Sequence, residues 1–527
     1  MTKYLLNRIL RSLLSVIIVV GVIMTMIYVF MDRKSIFADD SVFSKRRLNQ
    51  KEIYMMGQWE KYGYLDYVPF SEFLQSKVDA GELTSDEAKT TLDLGNPADG
   101  SKDNELTAKY AKEFEEYYES QGYKVVRLPA HLKHNSETAR KEGGDPQLFA
   151  HKDIPILTRL YNYFSGLITI DNIHNAEGDV GERGLTFTWY DPAYGGEKFS
   201  PAIMGNGTTH KYLLYCSDEF PFIHQNLVTL NLGKSYSVNQ GVEVFETMTQ
   251  TQGDLKKSTV FYPSGVIEET ADNIHSATYQ AGTRENGELN KLYYVDDYTV
   301  VTTMKDGMSK MGYSFVIGIF AVILSYLLAV PLGILMALKK DKFVDKLGTF
   351  YIVFVTAVPS LAYIFMFQSI GKEIGLPYSF DMINPTWQMY VLPIISLALP
   401  SVANLMKWLR RYMIDQMNSD YVKFARSGGM SEGQIFTKHI LKNAIIPIVH
   451  GIPGSVLGAL VGAIITERVY MVPGAGNLLT NAITAYDNGV IVGVALFYAV
   501  LTVTSIILGD VLMSVMDPRI SFTSKAR

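Results

Sequence analysis

Six long apolar runs leave this chain few ways to fold. They lie at 13–30, 313–338, 347–370, 390–409, 444–466 and 489–515, and the first reads LLSVIIVVGVIMTMIYVF. About 18 to 20 uncharged residues suffice to cross a bilayer core, where backbone groups must satisfy one another, so each run is read as a spanning helix. The polar connections orient the six. Lys339, Lys340, Lys342 and Lys346 crowd the turn after the second run. Lys407 at the end of the fourth and Arg410, Arg411, Lys423, Arg426, Lys438 and Lys442 beyond it mark the next loop, and Arg519, Lys525 and Arg527 mark the tail. Connections 371–389 and 467–488 hold only Lys372 and Arg468 as basic residues. Basic residues gather on the cytoplasmic side, so both termini are expected inside. A signal peptide is the rival reading of 1–30, with its basic Lys3, Arg8 and Arg11. No A-x-A cleavage pattern follows and the apolar run is too long, so a retained first span is expected.

Between the first and second runs, 31–306 carries 28 basic against 42 acidic residues and no span-length apolar stretch. It is read as one extracytoplasmic insert. Its first part, to about residue 180, looks helical: TSDEAKTTLDL opens with capping residues and NELTAKYAKEFEEYYES repeats apolar residues at helical spacing. Stretch 151–170 is apolar enough either to lie on the membrane surface or to pack against the spans. After 180 come β-like runs, LTFTWY, KYLLYC, VEVFETM, STVFY and LYYVDDYTVV, broken by Gly, Asn, Asp and Pro. The single cysteine, Cys216, excludes an intramolecular disulfide and is expected to be a buried small apolar residue. The basic residues outside the insert are dispersed among spans, which does not read as a nucleic-acid surface.

The polar stretch DYVKFARSGGMSEGQIFTKHILKNAIIP, Asp420 to Pro447, must loop out of the membrane. Tyr421 to Ser427 can form two helical turns; Gly428 and Gly429 break them, and Ser431 stands where a second helix wants its N-cap. Helix, glycine turn, helix and apolar span have the shape of a docking finger within the segment 412–443. Prolines 331, 359, 393, 400, 447 and 453 lie in the apolar runs and invite kinks.

These stretches together resemble the oligopeptide/dipeptide/nickel ABC importer permeases, the first of their two permease subunits. The resemblance is carried by KYLLNRILRSLLSVIIVVGV, KMGYSFVIGIFAVILSYLLAVPLGILMALKKDKFVD, the 420–447 stretch, ERVYMVPGAGNLL and GDVLMSVMDPRI. It covers most of 1–30 and 307–520. It implies a mainly α polytopic membrane protein with six transmembrane helices of the type I importer permease fold. An α+β extracytoplasmic insert stands between helices 1 and 2, and the permease core is 307–527. The 420–447 stretch then matches the loop that contacts the ATPase, implying coupling roles for Asp420, Tyr421, Lys423, Phe424, Ala425, Arg426, Gly429 and Pro447. Tyr421 and Phe424 are expected as apolar anchors, and Lys423 and Arg426 as charges for an acidic ATPase cleft. The family usually has Ala and Lys before the loop glycine, where this chain has Ser427 and Gly428. The insert is also far longer than the family's, with NLGKSYSVNQGVEVFETM matching its short external segment; such enlargement implies a Gram-positive source.

The resemblance further implies partners: a homologous second permease, two ATPases holding ATP and Mg, a lipid-anchored external peptide-binding protein, peptide and membrane lipids. No cofactor, metal or catalytic residue is expected in this chain. Gly233-Lys234-Ser235 lacks the earlier glycine of a phosphate loop, the nine histidines show no HExxH spacing, and no GxSxG occurs. Glu467 with Pro473, Gly474 and Gly476 is expected to shape an external re-entry loop. Asp510 is expected to pair with Lys407 or Arg410, and Asp517, Pro518 and Arg519 to anchor the last helix. Dipeptides or nickel are alternative cargoes. A membrane sensor is the reading from another class, but it calls for a cytosolic output domain, and the cytosolic connections are too short for one. A secondary transporter would favour midplane acids and inverted repeats, which were not found.

Overall fold

The computed structural model describes residues 2–96, 101–130, 144–216, 223–382 and 384–516. Four helices are long and apolar enough to cross a membrane: Leu6–Phe30, Lys310–Leu338, Gln388–Met417 and Asn488–Met516. Two more are bent pairs, Phe343–Ala357 with Ser360–Glu373 at 106° and Glu432–His450 with Ile452–Val461 at 40°. Six crossings are reached if each bent pair is one span. The sharp bend follows from Pro359, which supplies no N–H and holds Val358 extended at ψ 129°. Pro331, Pro393 and Pro400 stay inside continuous helices, while Pro447 and Pro453 occupy first turns, where no donor is needed.

Small residues set the packing of the spans. Ser325 of Lys310–Leu338 donates to the Ala398 carbonyl of Gln388–Met417 at 3.2 Å. A Cβ on Gly333 would stand 3.2 Å from Leu409, so the two helices approach closely there. The first helix, Thr2–Phe30, buries Val16, Val20, Met24 and Ile27 in one cluster with Val490, Val494 and Leu496 of Asn488–Met516.

The insert is α+β throughout. Its first part holds the sheet β1 (Leu65–Pro69), β2 (Lys124–Leu128) and β3 (Gln147–Asp153), antiparallel in the order β1-β3-β2. Helices Phe70–Asp79 and Glu105–Ser120 cover it, with Phe70, Phe73, Leu74 and Phe114 buried against Leu148 and Ala150. The first part, expected to be helical, thus also holds a sheet: these strands pair across long sequence separations that local patterning does not reveal.

A short ribbon of β4 (Ile168–Ile170) and β9 (Val228–Leu230) leads to a four-stranded sheet. That sheet orders β5 (Gly184–Thr188), β6 (Ala202–Asn206), β7 (Tyr212–Cys216) and β8 (Ile223–Gln225) in sequence. Two hairpins follow, Ser258–Phe261 with Ile267–Thr270 and Asp272–Tyr279 with Tyr298–Thr303. VEVFETM is a helix, Val244–Thr249, rather than a strand. Val244, Thr247 and Met248 are buried at helical spacing, and Val244 and Met248 join the cluster of the first and last spans. Cys216 is half-buried and free. In 151–170, one face packs against the spans: in helix Ile156–Ser165, Leu160, Tyr163 and Phe164 rest against the first span's cluster, while Leu157 and Tyr161 stay exposed.

Candidate functional site

The 420–447 stretch folds as two short helical pieces about a glycine turn. Asp420–Ser427 is helical and ends in a Schellman arrangement. The Met430 N–H donates to the Ala425 carbonyl at 3.3 Å and the Gly429 N–H to the Arg426 carbonyl at 3.1 Å. This closure needs a left-handed residue at 429, and Gly429 has φ +80°. No atom lies within 4 Å of a Cβ built there, so it is the backbone angle, not crowding, that makes a side chain costly. Gly428, by contrast, has φ −75°, which any residue adopts. The departure at Ser427 and Gly428 thus leaves the turn intact, and only one of the two glycines is required. Ser431 caps the next helix through a capping box with Gln434, whose N–H donates to the Ser431 hydroxyl at 3.4 Å. Phe436–Leu441 then widens into a π-helical turn.

One face of this finger is rooted in the spans. Val422, Ile435, Ile440, Ala444 and Ile448 are buried with Ala337, Leu409 and Met413. Tyr421, expected as a docking anchor, is 38% exposed, and its hydroxyl donates to Gln416 and accepts from Asn443 Nδ2 at 3.0 Å. Phe424 points away and is 81% exposed. Ala425 is half-buried and Pro447 exposed. Lys423 pairs with Asp420 at 2.9 Å, holding the Asp420 carboxyl below its ordinary range. Arg426 grips Glu432 across the turn with a fork at 2.5 and 3.0 Å. The charges expected for a partner are therefore paired within the finger. Such exposed pairs are weak and readily exchanged.

Beyond the finger, Glu467 is fully buried at the opposite end of its span. It accepts from the Ser314 hydroxyl and from the N–H groups of Gly476 at 2.9 Å and Asn477 at 3.3 Å. It so caps helix Ala475–Thr484, where a carboxylate meets unsatisfied N–H groups and the positive helix end. A Cβ on Gly474 would stand 2.2 Å from the Glu467 Cδ and one on Gly476 2.9 Å from its Oε2, so of the expected grouping these two glycines lie close to the carboxylate. Ser314, 153 residues away, was not legible.

Asp510 meets Arg8 at 2.6 Å, not Lys407 or Arg410. Arg410 instead forks onto Asp345 at 2.6 and 2.7 Å, and Lys407 is exposed. The correction follows from helix adjacency: the first helix lies along the last, and Phe343–Ala357 along Gln388–Met417. Asp517, Pro518 and Arg519 fall outside the described residues.

A further carboxylate, Asp487, was missed altogether. It is fully buried and accepts from the Ser235 hydroxyl at 2.6 Å and from the N–H groups of Tyr236, Ser237 and Val238 at 2.9–3.0 Å. It also accepts from the Val490 N–H at 3.1 Å, capping the last span. Ser235 to Val238, starting at the last residue of the Gly-Lys-Ser segment, are thus the clasp that fastens the insert to that span. Gly489 permits it, since a Cβ there would lie 1.8 Å from the Lys234 carbonyl oxygen. Among the described residues no group of three or more His, Cys, Asp or Glu side chains is placed to hold a metal ion.

Residues 329–522 match the family of binding-protein-dependent transport system inner membrane components. The chain is also 34% identical to the oligopeptide transport system permease protein AmiC of Streptococcus pneumoniae, over 100% of this chain and 99% of AmiC. The chain belongs to this permease family. The dipeptide transport system permease protein DppB of Lactococcus lactis is 30% identical, over 44% of this chain and 76% of its own. AmiC therefore shares the insert's length, whereas the DppB match covers less than half of the chain. A solved amino acid ABC transporter chain overlaps with a TM-score of 0.31 and 17% identity, covering 40% of this chain and 92% of its own; a likeness that low carries no weight.

Proposed function

We propose that this subunit passes oligopeptides inward as half of the membrane pathway of an ATP-driven importer. The observation that carries the reading is the end-to-end likeness to AmiC, insert included. The other half is a homologous permease, and two cytosolic ATPases bind ATP and Mg. An external binding protein delivers the peptide. The 420–447 finger meets an ATPase through Phe424, with Asp420, Lys423, Ala425 and Arg426 around it and Gly429 and Pro447 setting its shape. Rooting of Val422 and Ile435 among the spans turns movement of the finger into movement of the bundle. Glu467 and its glycines shape the external re-entry helix beside the pathway.

Co-purification tests the coupling. The tagged wild-type chain is expected to retain both ATPases in gentle detergent. Gly429→Val, a β-branched residue forced to a left-handed angle at a cost of about 1–2 kcal/mol, retains far less, and Gly428→Ala retains the wild-type amount. Equal loss from both glycine variants, or a wild-type chain that purifies alone, contradicts the proposal.

Sidedness is tested with cysteines in a Cys216→Ser background. Trp189→Cys, at a position 56% exposed in the insert, is expected to react with an impermeant maleimide in intact cells. Phe424→Cys reacts only after permeabilisation. The opposite pattern reverses the topology.

A further inference from the structure

Where the first span, the last span and the insert meet, a cavity of about 430 Å³ opens between Tyr28, Val492 and helix Ile156–Ser165. Its lining carries three cations, Lys61, Arg159 and Lys234, against one carboxylate, Glu243. Lys234 lies 3.9 Å from Glu243. Lys61 and Arg159 form no ion pair among the described residues. The Arg159 guanidinium is held between two rings, 3.5 Å from the centre of Tyr28 and 4.0 Å from that of Tyr64. Its Nη2 is buried with no hydrogen-bond partner. Cation–π contact offsets part of the desolvation of that charge, but a guanidinium so placed gains most from an anion.

The height of the cavity narrows the choice of anion. Tyr28 sits in the final turn of the first helix, on which Met26 and Val29 remain 56% and 61% exposed to the surroundings. The helix that carries Arg159 packs Leu160 and Phe164 on that span and turns Leu157 and Tyr161 outward, 76% and 72% exposed. An amphipathic helix with an uncovered apolar face, beside the end of a spanning helix, lies at the lipid–water boundary. We infer that this cavity binds the phosphate of an anionic phospholipid headgroup. Arg159 and Lys61 face the phosphate, and the acyl chains run along the first span. The sidedness proposed above decides only which leaflet supplies the lipid; the contacts do not depend on what the protein transports.

The test titrates the complete transporter, purified in detergent, with dioctanoyl-phosphatidylglycerol and dioctanoyl-phosphatidylcholine, read by native mass spectrometry. Saturable, tighter binding of the glycerol lipid is expected, weakened about tenfold or more in Arg159→Gln. Lys61→Gln, a change at an exposed side chain, is expected to weaken it without altering the melting temperature, and carries the test if Arg159→Gln misfolds. Inorganic phosphate is added in a parallel titration. Lipid binding that is equal in wild type and Lys61→Gln overturns the inference. So does a cavity that takes inorganic phosphate and no lipid, which would make it a site for a soluble anion.

Discussion

Replacing Asp487 with alanine is expected to unfasten the insert from the membrane core. The change strands the Ser235 hydroxyl and the N–H groups of Tyr236, Ser237, Val238 and Val490, all now satisfied by one buried carboxylate. A buried donor left without an acceptor costs about 1–3 kcal/mol, and water entering the gap recovers part of this, so a net loss of about 4 kcal/mol is expected. Asp487→Asn keeps the shape and some acceptors, and should lose about half as much. Thermal unfolding of the purified protein gives the magnitude. Limited proteolysis gives the location, because new cleavage should fall near 233–240, ahead of the spans. Wild-type melting of Asp487→Ala would contradict the clasp.

Phe424→Asp is expected to have the opposite profile, with normal folding and lost coupling. The side chain is 81% exposed, so its removal breaks little within the chain. An exposed aromatic that fills a partner's pocket contributes about 2 kcal/mol or more to association, near 30-fold in affinity. Phe424→Ala should show that loss, and the aspartate should exceed it by placing a charge in an apolar pocket. Val422→Ala, one turn face away and fully buried, should instead lower the melting temperature. Affinity for the isolated ATPase and the melting curve, measured on all three variants, separate the two effects. A Phe424→Asp protein that holds its ATPase at wild-type strength would remove the residue from the docking surface.

What was legible in the sequence is what local patterning encodes. Apolar run length marked the spans, and Ser-Gly-Gly with Ser431 marked the turn and the second helix's cap. Even there the pattern could not say that Gly429 alone needs a left-handed angle, nor that Pro359 bends its run by 106° while Pro393 leaves its helix continuous. What was not legible depends on which elements become neighbours. Asp510 pairs with Arg8, and Asp487 with a loop about 250 residues earlier, because the first and last spans pack together. One signal was present: Asp487 stands two residues ahead of the apolar run 489–515, where a helix N-cap is expected. The charge of a finger residue likewise does not reveal whether its partner is a neighbour or another subunit. Arg426 finds Glu432 six residues on, which leaves Phe424 as the group turned outward.

The central claim is tested most directly by peptide accumulation in proteoliposomes. The complete transporter would be reconstituted with its binding protein, a labelled oligopeptide on the outside and ATP on the inside. Uptake against the gradient that requires ATP and falls to background in Phe424→Asp is expected. Uptake that proceeds without ATP on an ion gradient, or persists undiminished in that variant, would contradict the claim.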